Sequence, residues 1–200
     1  MSPKSKERNE QRKEERREQI LLAALKIISR RGLMSTKISD IASLAGLSHG
    51  LVYHYFASKE EIFLELIDRA IQSSSEALLA LEKLPLEPLE KISAISEMVL
   101  GQIDKTEDSA FYFLLMIQAT VSDANPEAAI ERMRKPFVPF EAMLRIVEEG
   151  QKKGLIREGN AVDLVVLYWA AVQGLALYKI SSGNFFTMPD PKLLTNLFTK

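Results

Sequence analysis

Residues 36–61 are TKISDIASLAGLSHGLVYHYFASKEE, two short helical segments and the start of a third. Thr36 is suited to cap a short helix that turns Ile38, Ile41, Ala42 and Ala45 to one side. Gly46 supplies a turn, and Ser48 caps a second helix of only about two turns, His49 to Tyr55. Ser58-Lys59-Glu60-Glu61 is a capping box that opens a long third helix, with Phe63, Leu66, Ile67, Ala70 and Ile71 on its buried face. Two helices joined by a tight glycine turn, the second short and capped, form a helix-turn-helix. Such a second helix fits the major groove of DNA and aims its N-terminal residues at base edges.

Within that helix, His49 can donate to guanine O6 or N7. Gly50 permits close backbone approach, and Leu51 can pack on a thymine methyl. The Tyr53 and Tyr55 hydroxyls suit phosphate oxygens, with Ser48 and His54 on the same short helix. Thr36, Lys37 and Ser39 start the preceding helix, and Lys59 starts the following one beside free backbone N–H groups. Both ends are candidate phosphate sites. Phe56 falls between two helices and reads as core. The two histidines stand five residues apart, off a common helical face, in a chain without cysteine, so no metal site and no cofactor is expected.

Outward from the motif, charge is unevenly distributed. The 200 residues are 46% apolar and 26% charged, which excludes a disordered or collagen-like chain, and the net charge is −1. That near-neutrality conceals a split. Residues 1–59 hold 12 Lys/Arg and 6 Asp/Glu, a net +6, whereas residues 60–200 hold 14 and 21, a net −7. A basic module that meets a polyanion, joined to an acidic module, is the implied organisation. Residues 2–18 are densely charged and of mixed sign, compatible with a solvated helical rod or a mobile arm. From Ile20 a helical period begins, with Ile20, Ala24, Ile27 and Ile28 on one face and Gly32 as a stop.

These elements, with Ala23-Ala24, Asp40-Ile41-Ala42, Ala45-Gly46, Ser48-x-Gly50, Val52-Tyr53-x-Tyr55-Phe56, Ser58-Lys59-Glu60 and Ile62-Phe63, resemble the tetracycline-repressor-like (TetR) family of transcriptional regulators. The resemblance covers residues 20–67. It implies a recognition helix Ser48–Tyr55 with Tyr53, Tyr55 and Lys59 on phosphates. His49 stands where the family often has Lys, and Leu51 where a small or hydroxyl residue is common, which bears on the operator sequence.

After Pro88 the period stays helical, with helices expected near 89–104, 107–122, 126–135, 139–153, 161–181 and 191–199, so the chain is all-α. From Ala161 to Tyr178 only Asp163 and Gln173 interrupt an apolar surface that runs all round the helix. Such a helix is buried on every side or spans a membrane, and Asp163, Gln173 and Lys179 argue against lipid. One face is expected in its own core and the other against a second copy, with Val165, Tyr168, Val172 and Leu175 at the seam and Leu194, Leu197 and Phe198 beside them. The spacing of Gly150, Gly154, Arg157, Asp163 and Gln173-Gly174 is similar to the family's C-terminal pattern, which implies a dimeric four-helix bundle. The resemblance further implies an effector pocket among the middle helices, where Met98, Phe111, Phe113, Met116, Phe137, Phe140, Met143 and Trp169 would form the lining. Gln102, Gln118 and Gln173, uncharged polar residues in apolar stretches, are the candidate anchors for a hydrophobic, neutral or amphipathic small molecule.

The expected architecture is a charged extension (1–18), a three-helix helix-turn-helix DNA-binding domain (19–64) and a helical ligand-binding and dimerisation domain (65–200), about nine helices in all. The expected function is that of a homodimeric repressor, released from a palindromic double-stranded operator by its effector. No nucleophile–base pair, paired carboxylates or phosphate loop is evident, so no catalytic residue is expected; a helical-domain enzyme and a membrane-surface scaffold are the alternatives. Residues 1–18 lack the apolar face that insertion in a membrane surface requires. The longest apolar run, Leu164 to Val172, is nine residues against the ~20 of a membrane span. A charged N-terminus and the absence of cysteine point to a soluble cytoplasmic protein.

Overall fold

Several helices start on a local chemical signal. The computed structural model describes residues 3–200, with side chains from residue 8 onward apart from residue 184. Among these residues every regular element is helical: α1 (Pro3–Arg31), α2 (Ile38–Ala45), α3 (His49–Tyr55), α4 (Lys59–Glu82), α5 (Pro88–Lys105), α6 (Glu107–Val121), α7 (Glu127–Arg134), α8 (Val138–Lys152), α9 (Ala161–Ser182) and the single turn α10 (Lys192–Thr195). Thr106 caps α6 by accepting the Ser109 N–H, and Asn160 caps α9 by accepting the Val162 N–H. The last stretch, expected to be helical over 191–199, is helical only over Lys192–Thr195. The chain end is instead held by the Arg157 N–H donating to the Phe198 carbonyl at 3.0 Å.

The charged N-terminal stretch is the first half of α1 from Pro3 on, and residues 1 and 2 of the expected extension lie outside the described residues. Ion pairs fasten it to α4. Arg17 forks onto Glu65 with its guanidinium 4.8 Å above the Phe56 ring, and Arg69 pairs with Glu18 at 2.5 Å and Glu65 at 3.0 Å.

The interior is two apolar cores that share helices. The first gathers Ile20, Leu25 and Ile28 of α1, Ile41 of α2, Val52 of α3, and Phe63, Leu66 and Ile67 of α4, and it takes in Phe111, Leu115 and Ala119 of α6. The second joins α5, α8 and α9 around Ile95, Met143, Ile146, Tyr168 and Val172, with Leu78 of α4 and Ala110 of α6. Helix α4 runs unbroken through the expected boundary at 64/65, and α6 serves both cores. Burying Phe111 and Leu115 is worth about 1.5–3 kcal/mol each. The half-exposed Lys26–Asp108 ion pair at 3.1 Å is worth about 0–1 kcal/mol. Apolar burial therefore holds α6 to α1.

The dimer seam read from the sequence needs correction. Val165, Tyr168, Val172, Leu194 and Phe198 are buried in the chain's own second core, and Leu175 and Leu197 pack half-buried against it. Tyr168 Oη lies 3.2 Å from Ser96 Oγ, and burial pushes its phenol up to about 12. The large exposed apolar side chains of α9 are Val162, Val166, Leu167, Leu177 and Tyr178. An all-apolar helix carries no polar stripe to set its phase, so the sequence could not tell the two faces apart.

Helices α5 and α8 approach closely at Gly150, where a Cβ would lie 2.4 Å from Ile156 Cδ1 and 3.0 Å from Pro88 Cβ. Alanine there gains about 1 kcal/mol of helix propensity. Overpacking against the buried Ile156 and a rigid proline ring costs about 1–3 kcal/mol and outweighs that gain. We predict that Gly150→Ala lowers the midpoint of thermal unfolding by several degrees in scanning calorimetry. An unchanged or raised midpoint would show that Ile156 yields freely.

Candidate nucleic-acid interface and effector region

The recognition helix is held from behind and open in front. Val52 and Phe56 are buried with Ile38, Ile41 and Ala42 of α2, which pins α3 to the first core. Between α2 and α3 the chain turns at Gly46, φ +66°, with the Gly46 N–H on the Ser43 carbonyl and the Leu47 N–H on the Ala42 carbonyl. This left-handed cap satisfies the orphan carbonyls of α2 and sets the direction of α3. Ser48 Oγ accepts the Leu51 N–H at 3.2 Å and caps α3. The α3 surface away from the core therefore presents Ser48, His49, Gly50, Tyr53 and His54, all exposed, with Leu51 and Tyr55 half-buried beside them. The His49 and Tyr53 rings meet edge to face at 5.0 Å, and those of His54 and Tyr55 at 5.4 Å. A Cβ at Gly50 would meet nothing within 4 Å, so the backbone there is open to close approach. Lys37 and Ser39 are exposed at the start of α2.

Two expected contact residues are engaged elsewhere. Thr36 is buried and its hydroxyl donates to the Gly32 carbonyl at 2.8 Å, so Lys37, not Thr36, is the N-cap of α2. The Asp40 carboxylate accepts the Lys37 N–H at 3.2 Å. The Lys59 ammonium donates to the carbonyls of Leu33 at 2.8 Å and Thr36 at 2.9 Å, clasping the exit of α1 to the start of α4. Ser58 accepts the Glu61 N–H at 3.1 Å, and Glu61 reaches back to the Ala57 N–H at 2.6 Å. One of the α4 N–H groups counted toward an anion site is thus already satisfied. No local signal foretells the Lys59 clasp, because its partners lie 23–26 residues away.

The expected effector lining divides. Met98, Phe113, Phe140, Met143 and Trp169 gather in or against the second core, and Met116 is half-buried on α6. Phe137 stands at the surface, its ring edge-on to Trp169 at 6.1 Å. Phe111 belongs to the first core, 4.9 Å beneath the Arg30 guanidinium, and so is no part of a pocket in the second. Gln102 and Gln173 are exposed and anchor nothing in the interior. Gln118 lies over the end of α1, its Oε1 3.5 Å from where a Gly32 Cβ would stand. The buried Asn125 amide donates to the Gln118 and Ala119 carbonyls, 3.0 Å each, and closes the end of α6. An open apolar hollow of about 330 Å³ lies elsewhere, between Leu100, Ala171, Gly174 and Leu193. The Trp169 Nε1 donor is buried without a hydrogen-bond partner, a feature the sequence offered no means of seeing.

Comparison with known proteins agrees with this geometry. Residues 20–66 match the bacterial regulatory proteins of the tetR family. The chain is 38% identical over 154 residues to the HTH-type transcriptional regulator BetI of Agrobacterium fabrum, covering 76% of this chain and 75% of that protein. It is 27% identical over 157 residues to the HTH-type transcriptional repressor NicS of Pseudomonas putida, covering 78% and 73%. Its fold is similar to that of the MbdR regulator from Azoarcus sp. CIB, with a TM-score of 0.75 and 22% identity over 90% or more of both chains. With helix caps, exposed recognition helix and sequence likeness in accord, the chain belongs to the tetR family of DNA-binding transcriptional regulators.

Proposed function

We propose that the protein is a homodimeric repressor, working in the cytoplasm, that two copies read a palindromic operator, and that a small hydrophobic effector releases it. The observation that carries this reading is the exposure of Ser48, His49, Gly50, Tyr53 and His54 on a capped helix whose other side is buried. In this reading His49 and Leu51 contact bases. Lys37, Ser39, Tyr53, His54 and Tyr55 contact phosphates, with Ser48 and Gly50 at the point of closest approach. Thr36 and Lys59 hold the reader in shape, as their hydrogen bonds indicate. The reader occupies 19–64 and the sensor 65–200.

One short helix reads few base pairs, and a two-fold dimer doubles them and demands half-sites about one helical turn apart. The exposed Val162, Val166, Leu167, Leu177 and Tyr178 of α9, with Phe185 and Leu193 nearby in the chain, support a seam on that side. For release, an effector in the second core must favour the state that does not bind DNA. Helix α6 offers the route, since Phe111 lies under Arg30, Gln118 lies over Gly32, and Ala110 belongs to the second core. The coupling is reciprocal, so operator DNA weakens effector binding by the same factor.

On a duplex selected from a randomised pool, His49→Ala weakens binding by roughly tenfold or more and relaxes preference at one base pair per half-site. Tyr53→Phe weakens selected and random duplexes alike, and the affinity of the unaltered chain falls steeply with salt, as measured by fluorescence anisotropy. Equal affinity for selected and random duplexes would contradict the reading. In sedimentation velocity, Val166→Glu converts dimer to monomer; a dimer unaffected by that charge would place the seam elsewhere.

A further inference from the structure

We propose that the Trp169 indole N–H is the polar anchor of the effector, and that the effector is an uncharged, largely apolar molecule carrying a carbonyl-type acceptor. The inference rests on the reading of the chain as an effector-released regulator and names the chemistry of that site. Trp169 is 9% exposed and its Nε1 has no acceptor. Natural interiors leave few donors in this condition, and each such group calls for an explanation. The surrounding side chains supply no acceptor. The Tyr168 ring stands perpendicular at 5.3 Å with its hydroxyl on Ser96, and the Phe137 ring stands edge-on at 6.1 Å. Phe140 and Met143 belong to the same apolar cluster.

The charge of the ligand follows from what the interior lacks. Among the described residues the one buried charged side chain is Lys91, and its ammonium is already given to the Glu82 carbonyl at 2.8 Å. A carboxylate or ammonium brought to Trp169 would lose its water and gain no countercharge, whereas a neutral carbonyl gains the waiting N–H. Access is past Phe137. It is 39% exposed, lies between Pro136 and Pro139 in the α7–α8 connection, and packs in neither core. The phenyl ring makes no hydrogen bond, so turning it outward breaks none.

Trp169 is the single tryptophan of the chain, so its fluorescence reports this site alone. The experiment titrates the full-length protein with four probes of matched length, 2-nonanone, nonane, nonanoate and nonylamine, and measures affinity by calorimetry alongside the emission of Trp169. The ketone is expected to bind about tenfold more tightly than the hydrocarbon and to shift the emission, with the two charged probes no better than the hydrocarbon. Trp169→Phe, folded by circular dichroism, is expected to bind ketone and hydrocarbon alike, and Phe137→Ala to bind the ketone at least as well as the parent. Failure of the ketone to bind, equal binding of ketone and hydrocarbon by the parent chain, tighter binding of a charged probe, or a ketone preference that survives Trp169→Phe would each overturn the anchor. Ketone binding at Trp169 that leaves affinity for a selected duplex unchanged would support the anchor and contradict effector release instead.

Discussion

The structure depends on the burial of one helix in two cores. Phe111, Leu115 and Ala119 of α6 fill the core under the recognition helix, while Ala110 of the same helix belongs to the core of the C-terminal bundle. Helix α6 packs along both α1 and α9. Cores packed to crystal density switch between discrete arrangements and do not deform smoothly. A helix common to both is therefore placed to carry a displacement from one to the other. The Asn125 amide donates to the Gln118 and Ala119 carbonyls and so ties the end of α6 to the turn that follows it.

Electrostatics serves a different purpose in each half. Around α3 the exposed groups are neutral or basic, and the net +6 of residues 1–59 is set against the −7 of the remainder. Part of the charge on α1 braces it against α4, since Glu18 engages Arg69 and Arg17 engages Glu65. Lys59, which by position looks like a DNA contact, closes the other end of the same brace by holding the Leu33 and Thr36 carbonyls. The helix-turn-helix is thus tied to α1 and α4, both of which pack against α6.

What was legible in the sequence was whatever local chemistry specifies. Ser48 and Ser58 as caps, Gly46 as a turn and the apolar period of α4 each act over a few residues, and the structure realises them. The helices from 88 to 182 fall within two residues of their expected ends for the same reason. Illegible were the features fixed by contacts distant in sequence. The phase of α9 is not written in its sequence, because its surface is apolar on every side, and Val165, Tyr168 and Val172 face their own core rather than a second copy. Gln102 and Gln173 looked like anchors because their neighbours in sequence are apolar, yet the helical repeat turns both to solvent. Phe111 and Phe113 are two residues apart and belong to different cores, a division set by which helices flank α6.

The claim that α6 couples the two cores is tested most directly by hydrogen–deuterium exchange on Leu115→Ala. Removing this buried side chain costs about 2–5 kcal/mol. If α6 couples the cores, the variant accelerates amide exchange in α1 and in α9 together and by similar factors. Acceleration confined to α1, α2 and α3, with α9 exchanging at the parent rate, would contradict it.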